Sequence, residues 1–135
     1  MSQPRSLKIS QRALVLLGVV FGAVTIFASF RVLAGVNPSY EVFTPLLVYN
    51  LLMGFVYIAV GVVGWFSLER GKQGALAILV LNLLVLVAVV VVYRLNAGIA
   101  VESLAAMALR TFVWLVIFAG LWWLSRVRTS QIRDL

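Results

Sequence analysis

Arg110 is the residue whose type and position most strongly suggest chemistry. Only 15 uncharged residues, Thr111–Ser125, separate it from the next basic residue, Arg126. As an α-helix that stretch is roughly 23 Å long, shorter than the ~30 Å hydrocarbon core of a bilayer. If the segment spans a membrane, Arg110 lies inside the hydrocarbon or at its edge. Ionisable residues at such depth are candidates for a functional site by default.

Three roles are open for Arg110. It could pair with Glu102, two turns earlier on the same helix and offset by about 80°, or be satisfied by Asn50 or Tyr57 of another helix. It could instead extend toward the helix N-terminus and reach the headgroups. The third role is a ligand or transport site, for which Arg110, Glu102, Asn50 and Tyr57 are the candidate residues. An anion or a lipid headgroup could be held at the outer mouth of the bundle by a cluster of charged residues: Arg31, Glu41, Arg94, Glu102 and Arg110.

Catalytic and metal sites are not expected. The chain contains no cysteine and no histidine, which removes thiolate nucleophiles, the usual zinc ligands and the common axial ligands of haem. Its acidic residues are Glu41, Glu69, Glu102 and Asp134, and none falls within an apolar run. We therefore predict no catalytic, cofactor-binding or metal-binding residue, no cofactor and no enzymatic activity.

Four long apolar runs must position these side chains. The chain is 64% hydrophobic and 11% charged, against about 45–50% and about 25% in soluble domains. Runs of this length predict an all-α integral membrane protein, because a spanning helix satisfies its own backbone hydrogen bonds. Over residues 1–135 we predict one domain, an up-down bundle of four antiparallel transmembrane helices. They are expected near 12–34, 42–67, 73–94 and 101–125, with a charged turn at 69–72.

The distribution of Lys and Arg predicts the orientation. Eight basic residues lie in the two tails and the 69–72 turn, whereas only Arg31, Arg94 and Arg110 belong to the opposite side. The positive-inside rule then places both termini in the cytoplasm, of a multi-pass protein in a bacterial inner or plasma membrane. The net charge of +7 is explained by this asymmetry, so nucleic acid is not an expected partner. Cleavage of the first helix as a signal peptide, after Val32-Leu33-Ala34, is an alternative.

Small residues predict where the helices meet. Gly18, Gly22, Thr25 and Ser29 lie on one face of the first helix; Asn50, Gly54, Tyr57, Gly61 and Gly64 share one face of the second. Membrane helices associate through such small residues because these let the backbones approach closely. We therefore predict that helices 1 and 2 form the tightest pair, packed through Gly18, Gly22, Gly54, Gly61 and Gly64. A polar face that lines a path or pocket is the functional alternative.

The leading functional prediction is a small non-catalytic membrane protein, acting as a subunit or assembly and stability partner of a larger membrane complex. The expected partners are the lipid bilayer and other membrane subunits or further copies of the chain. Alternatives are an oligomeric transporter or channel for small solutes or ions, and a lipid- or anion-binding protein that uses Arg110. The chain resembles the small multidrug resistance transporters in size, but its first helix lacks their acidic residue.

Overall fold

The part of the protein that the structure describes folds as four α-helices. A computed structural model describes residues 4–95 and 98–135, which is the predicted domain without residues 1–3 and 96–97. The helices are α1 (Arg5–Leu33), α2 (Thr44–Phe66), α3 (Leu68–Arg94) and α4 (Val101–Arg133). None of the described residues forms a strand. All four helices are long and apolar enough to cross a membrane, judged by length and composition. The all-helical, four-span prediction is confirmed at this level.

The outer helices are longer than predicted. The first begins at Arg5 rather than residue 12, and the last continues to Arg133 rather than residue 125. Both extensions are polar, but Lys, Arg and Gln are good helix formers, so the helices continue where the apolar run stops. The α1 extension also packs: buried Gln11 donates from Nε2 to the Gly64 carbonyl oxygen at 2.6 Å.

The prediction of a charged turn at 69–72 is wrong, because these residues lie in the first turns of α3. Ser67 alone separates α2 from α3, and its hydroxyl accepts a hydrogen bond from the Arg70 backbone N–H at 3.3 Å. Glu69 stands in the first turn of α3, where a negative charge favours helix formation, and its carboxylate is 2.9 Å from Lys72 Nζ. Charge at this position therefore starts a helix instead of interrupting one.

The helices α1 and α2 form the most extensive pair in the described structure, as predicted. A β-carbon built on Gly22 would lie 2.7 Å from the carbonyl oxygen of Gly54. A β-carbon on Gly54 would lie 2.5 Å from Cγ1 of Ile26, and Gly61 is in equally close contact with Val19. These three glycines therefore allow a backbone approach that no larger residue permits.

Two of the predicted packing glycines lie at other interfaces, and the nearest contacts of Gly18 are with α4 instead of α2. Gly18 faces α4, since a β-carbon there would lie 3.1 Å from Cη2 of Trp114. Gly64 contacts Val15 of α1 and also Gly71 of α3. The small residues of α1 and of α2 thus each contact more than one neighbouring helix, because a helix in a bundle buries more than one side of its surface.

A polar group lies at the centre of the bundle. Asn82 of α3 is fully buried. Its Oδ1 accepts hydrogen bonds from the hydroxyls of Tyr49, at 2.8 Å, and Tyr57, at 3.2 Å. The Tyr57 ring in turn packs on Trp114, with ring centroids 5.0 Å apart. These contacts connect α2, α3 and α4, closer to the middle of the bundle than the cavity described next.

Candidate functional site

A cavity of about 120 Å³ opens between α1, α2 and α4, at the end of the bundle where α2 and α4 begin. We call it the Arg110 cavity. Its polar lining residues are Ser29, Tyr40, Asn50, Ser103 and Arg110. The apolar walls are formed by Ala28, Val32, Val42, Phe43, Leu46, Leu47 and Ala106. A space of this size holds several water molecules or one small polyatomic group.

Helical spacing brings the polar groups to the cavity. On α4, Ser103, Ala106 and Arg110 follow one another at intervals of three and four residues, which places them on one face. Asn50 belongs to the second turn of α2, and Ser29 to the last turns of α1. Tyr40 comes from the loop that joins α1 to α2. Ala28, next to Ser29 in sequence, and Ala106, one helical turn before Arg110, have small side chains and leave space that larger ones would fill.

Arg110 and Asn50 each carry a buried polar atom without a hydrogen-bond partner. The atoms are Nε of Arg110 and Oδ1 of Asn50. In the part of the chain that the structure describes, no hydrogen bond or ion pair involves the Arg110 side chain. Buried polar groups in folded proteins are nearly always hydrogen-bonded, and an unpaired buried charge is costly. An arginine left in this state is therefore suited to an external acceptor.

Glu102 does not neutralise Arg110. The two residues share α4 but lie eight positions apart, which sets them about 80° from one another around the helix. Glu102 is exposed and does not line the Arg110 cavity. None of the residues that line the cavity is acidic. The positive charge of Arg110 consequently dominates this small volume.

Of the four ligand candidates predicted from the sequence, the structure brings only Arg110 and Asn50 together. Tyr57 lies deeper in the bundle, where its hydroxyl donates to Asn82 rather than to a group in the cavity. Tyr40 and Ser103 line the cavity but were not predicted. Ser103 could have been found, since it precedes Arg110 by seven residues, which is two helical turns. Tyr40 could not, because loop geometry decides its position.

The chemistry available in the Arg110 cavity is recognition. A guanidinium has five N–H donors and no acceptor, in a fork that matches the oxygens of a carboxylate or phosphate. The hydroxyls of Ser29, Tyr40 and Ser103 can donate or accept, and the Asn50 carboxamide can do both. A nucleophile needs a general base beside it, and the cavity lining contains no carboxylate or histidine.

Comparison of the chain with models of protein families, with curated proteins and with solved structures finds no match.

Proposed function

We propose that this chain is a non-catalytic membrane protein that binds an anionic group in the Arg110 cavity. The observation that carries the proposal is the Arg110 side chain, which lines a cavity without a carboxylate and has no hydrogen-bond or ion-pair partner among the described residues. Anions bound by a guanidinium at a partly desolvated site form charge-assisted hydrogen bonds, about twice as strong as neutral ones. The arrangement supports binding and offers no pair of residues for bond cleavage.

The proposed topology is an antiparallel bundle with both termini in the cytoplasm. The distribution of basic residues supports the orientation. The order of contacts supports the antiparallel arrangement, because Gln11 near the start of α1 contacts Gly64 near the end of α2, whereas Gly22 contacts Gly54. In this orientation the Arg110 cavity lies on the outer side of an inner or plasma membrane.

Anion binding can be tested on the delipidated full-length protein in detergent. Inorganic phosphate is titrated at constant ionic strength, with chloride as the replaced anion, and the thermal midpoint is recorded. Wild type is expected to gain stability, by about 2.7 kcal/mol when phosphate reaches roughly 100 times its Kd. Arg110→Gln is expected to gain none, because the charge that binds the anion is removed.

Arg94→Gln is the matched control. Arg94 is an exposed arginine in the last turn of α3, does not line the cavity, and carries the same charge. Its midpoint should rise with phosphate as in wild type. If Arg110→Gln gains as much stability as wild type and Arg94→Gln, phosphate acts elsewhere and the proposal is wrong.

A subunit or assembly role is a second candidate, compatible with the first. It is supported by a stripe on α3 that is exposed, entirely apolar and spaced as one helix face: Leu76, Val80, Leu84, Val87 and Val91. Such a face contacts either lipid or the helix of another subunit. Photo-crosslinkers at Leu84 and, as a control, at Leu16 of α1 would test it in native membranes. A defined protein adduct at Leu84 alone supports the role, and lipid adducts at both positions contradict it.

Transport through a single copy receives less support. Below the Arg110 cavity, the bundle interior is filled by Tyr57, Met107 and Trp114, each at most 1% exposed. A solute that entered the cavity would have to displace these packed side chains to cross the remaining length. A transporter built from this chain would therefore need a path between copies.

A further inference from the structure

A second concavity, of about 320 Å³, adjoins the Arg110 cavity. It lies over the end of α1 and the following loop, with Arg31, Asn37 and Ser39 among its lining residues. Ala28 and Val32 line both spaces, so a single row on α1 borders each of them. We call the two adjoining spaces together the α1 groove. It extends from Arg110 at its deep end to Arg31 at its outer end.

The α1 groove carries two cations and no acid. Arg110 lines one part and Arg31 the other, and no Asp or Glu lines either part within the described residues. Glu41, although adjacent to Tyr40 in sequence, is directed toward Gly98, where a β-carbon would lie 3.7 Å from its Oε1. A ligand with negative charge is favoured here, and one that also carries a positive charge finds no partner for it.

The depth of Arg110 suits a lipid phosphate. Its Cα lies nine residues after Val101, the start of α4, which is roughly 14 Å along the helix. Helical side chains lean toward the N-terminus, so the guanidinium extends back toward the membrane surface. Headgroups add about 5–7 Å to each side of the hydrocarbon core. An arginine that snorkels from this depth reaches the layer where lipid phosphates lie.

Apolar surface flanks the α1 groove. On the deeper side of Ala28, the same face of α1 continues at Val24, which is 58% exposed, and Val20, which is 52% exposed. A small inorganic anion makes no favourable contact with such a surface. The acyl chains of a lipid do make favourable contacts, because they can lie along exposed apolar residues of α1 while the headgroup occupies the groove. Headgroup charge and chain contact thus point to the same class of ligand.

From these observations we infer that the α1 groove binds the headgroup of an anionic phospholipid of the surrounding bilayer, with its phosphate on Arg110. This inference rests on the proposed anion binding and names the ligand. Phosphatidylglycerol is the suitable probe, since its phosphate oxygens accept from Arg110 and its glycerol hydroxyls can donate to Asn50 Oδ1. Phosphatidylcholine is the matched counter-probe: it has the same phosphate, but its ammonium group would meet Arg31.

The experiment titrates the delipidated full-length protein with each lipid in detergent and counts bound lipid by native mass spectrometry. Wild type is expected to bind one phosphatidylglycerol in preference to phosphatidylcholine. Arg110→Gln should weaken that binding by about tenfold, the loss of a charge-assisted hydrogen bond. Arg31→Gln should weaken it by about fivefold, as for one basic residue near a lipid surface. Arg94→Gln should bind as wild type does.

A second variant blocks the groove without changing its charge. Ala28→Phe places a ring on the row shared by the two concavities, at an exposed position of α1 where a large side chain can be accommodated. Phosphatidylglycerol binding should fall by about tenfold, because Ala28 lines both concavities and a ring there excludes the headgroup. This variant keeps the inference testable even if Arg110→Gln is poorly folded.

The outcomes separate the two proposals. If phosphate stabilises wild type through Arg110 but phosphatidylglycerol and phosphatidylcholine bind equally, the lipid inference is overturned and anion binding stands. Unchanged phosphatidylglycerol binding in both Arg110→Gln and Ala28→Phe would also overturn the lipid inference. If, in addition, phosphate stabilises Arg110→Gln as much as wild type, the proposed function is overturned with it.

Discussion

Arg110 and Asn50 line the same cavity, from α4 and α2, and Nε of the first and Oδ1 of the second have no hydrogen-bond partner among the described residues. One atom is a donor and the other an acceptor, yet they do not bond to each other. A third group that accepts from the guanidinium and donates to the carboxamide would satisfy both. The pair thus belongs to a site that an external ligand completes, rather than to a closed structural network.

The lack of an internal partner predicts that Arg110 contributes little to folding. Arg110→Leu should leave the free energy of unfolding unchanged or raise it by about 1 kcal/mol, because it removes a buried polar group that is not hydrogen-bonded. The measurement is unfolding in mixed detergent micelles, with Arg94→Leu as the control. A loss of about 3–5 kcal/mol, typical of breaking a buried ion pair, would show that Arg110 is paired in the folded protein.

Gly22 should tolerate no larger side chain. Gly22→Leu forces α1 and α2 apart, since even a β-carbon would lie 2.7 Å from the carbonyl oxygen of Gly54. We expect a loss of about 3 kcal/mol or more, at or above the upper end of overpacking costs. Ala23→Leu is the control, because Ala23 is the adjacent residue and is exposed. If Gly22→Leu unfolds at the same concentration of denaturing detergent as wild type, the close packing of α1 against α2 is contradicted.

Asn82 should couple two tyrosines. Asn82→Leu removes the acceptor of the Tyr49 and Tyr57 hydroxyls, and a cost of about 1–2 kcal/mol is expected for hydrogen bonds within membrane helices. Replacing both tyrosines by phenylalanine in the Asn82→Leu background should recover part of that loss. A double-mutant cycle measures the coupling. Strictly additive effects of Asn82→Leu and Tyr49→Phe would exclude the bond between them.

The proposed topology can be tested directly because the chain contains no cysteine. Single substitutions Ser6→Cys and Ser130→Cys place a thiol near each end, at exposed positions of α1 and α4. Ser39→Cys places one in the loop between α1 and α2. A membrane-impermeant maleimide applied to sealed vesicles should label Ser6→Cys and Ser130→Cys from one face and Ser39→Cys from the other. Labelling of the two tail variants from opposite faces would refute an even number of crossings.

Part of the candidate site could be predicted from the sequence. The short apolar stretch after Arg110 made that residue a site candidate, and the structure shows it in the lining of a cavity at the end of the bundle where α4 begins. That Arg110 has no hydrogen-bond or ion-pair partner among the described residues could not be predicted. Sequence spacing left Glu102, Asn50 and Tyr57 all open as partners, and only the packed structure shows Tyr57 bonded to Asn82 and Glu102 exposed.

Hydropathy and helical periodicity sufficed to predict four apolar helices and the small residues through which α1 and α2 approach, because both are local properties of the chain. They did not determine where the helices end. Polar segments continue α1 and α4 beyond the apolar runs, and the Ser67 cap starts α3 at once. The tertiary structure alone decided that Gly18 faces Trp114 and that Ser29, Asn50 and Arg110 share a cavity. Such contacts depend on the rotation and separation of whole helices, which no local pattern specifies.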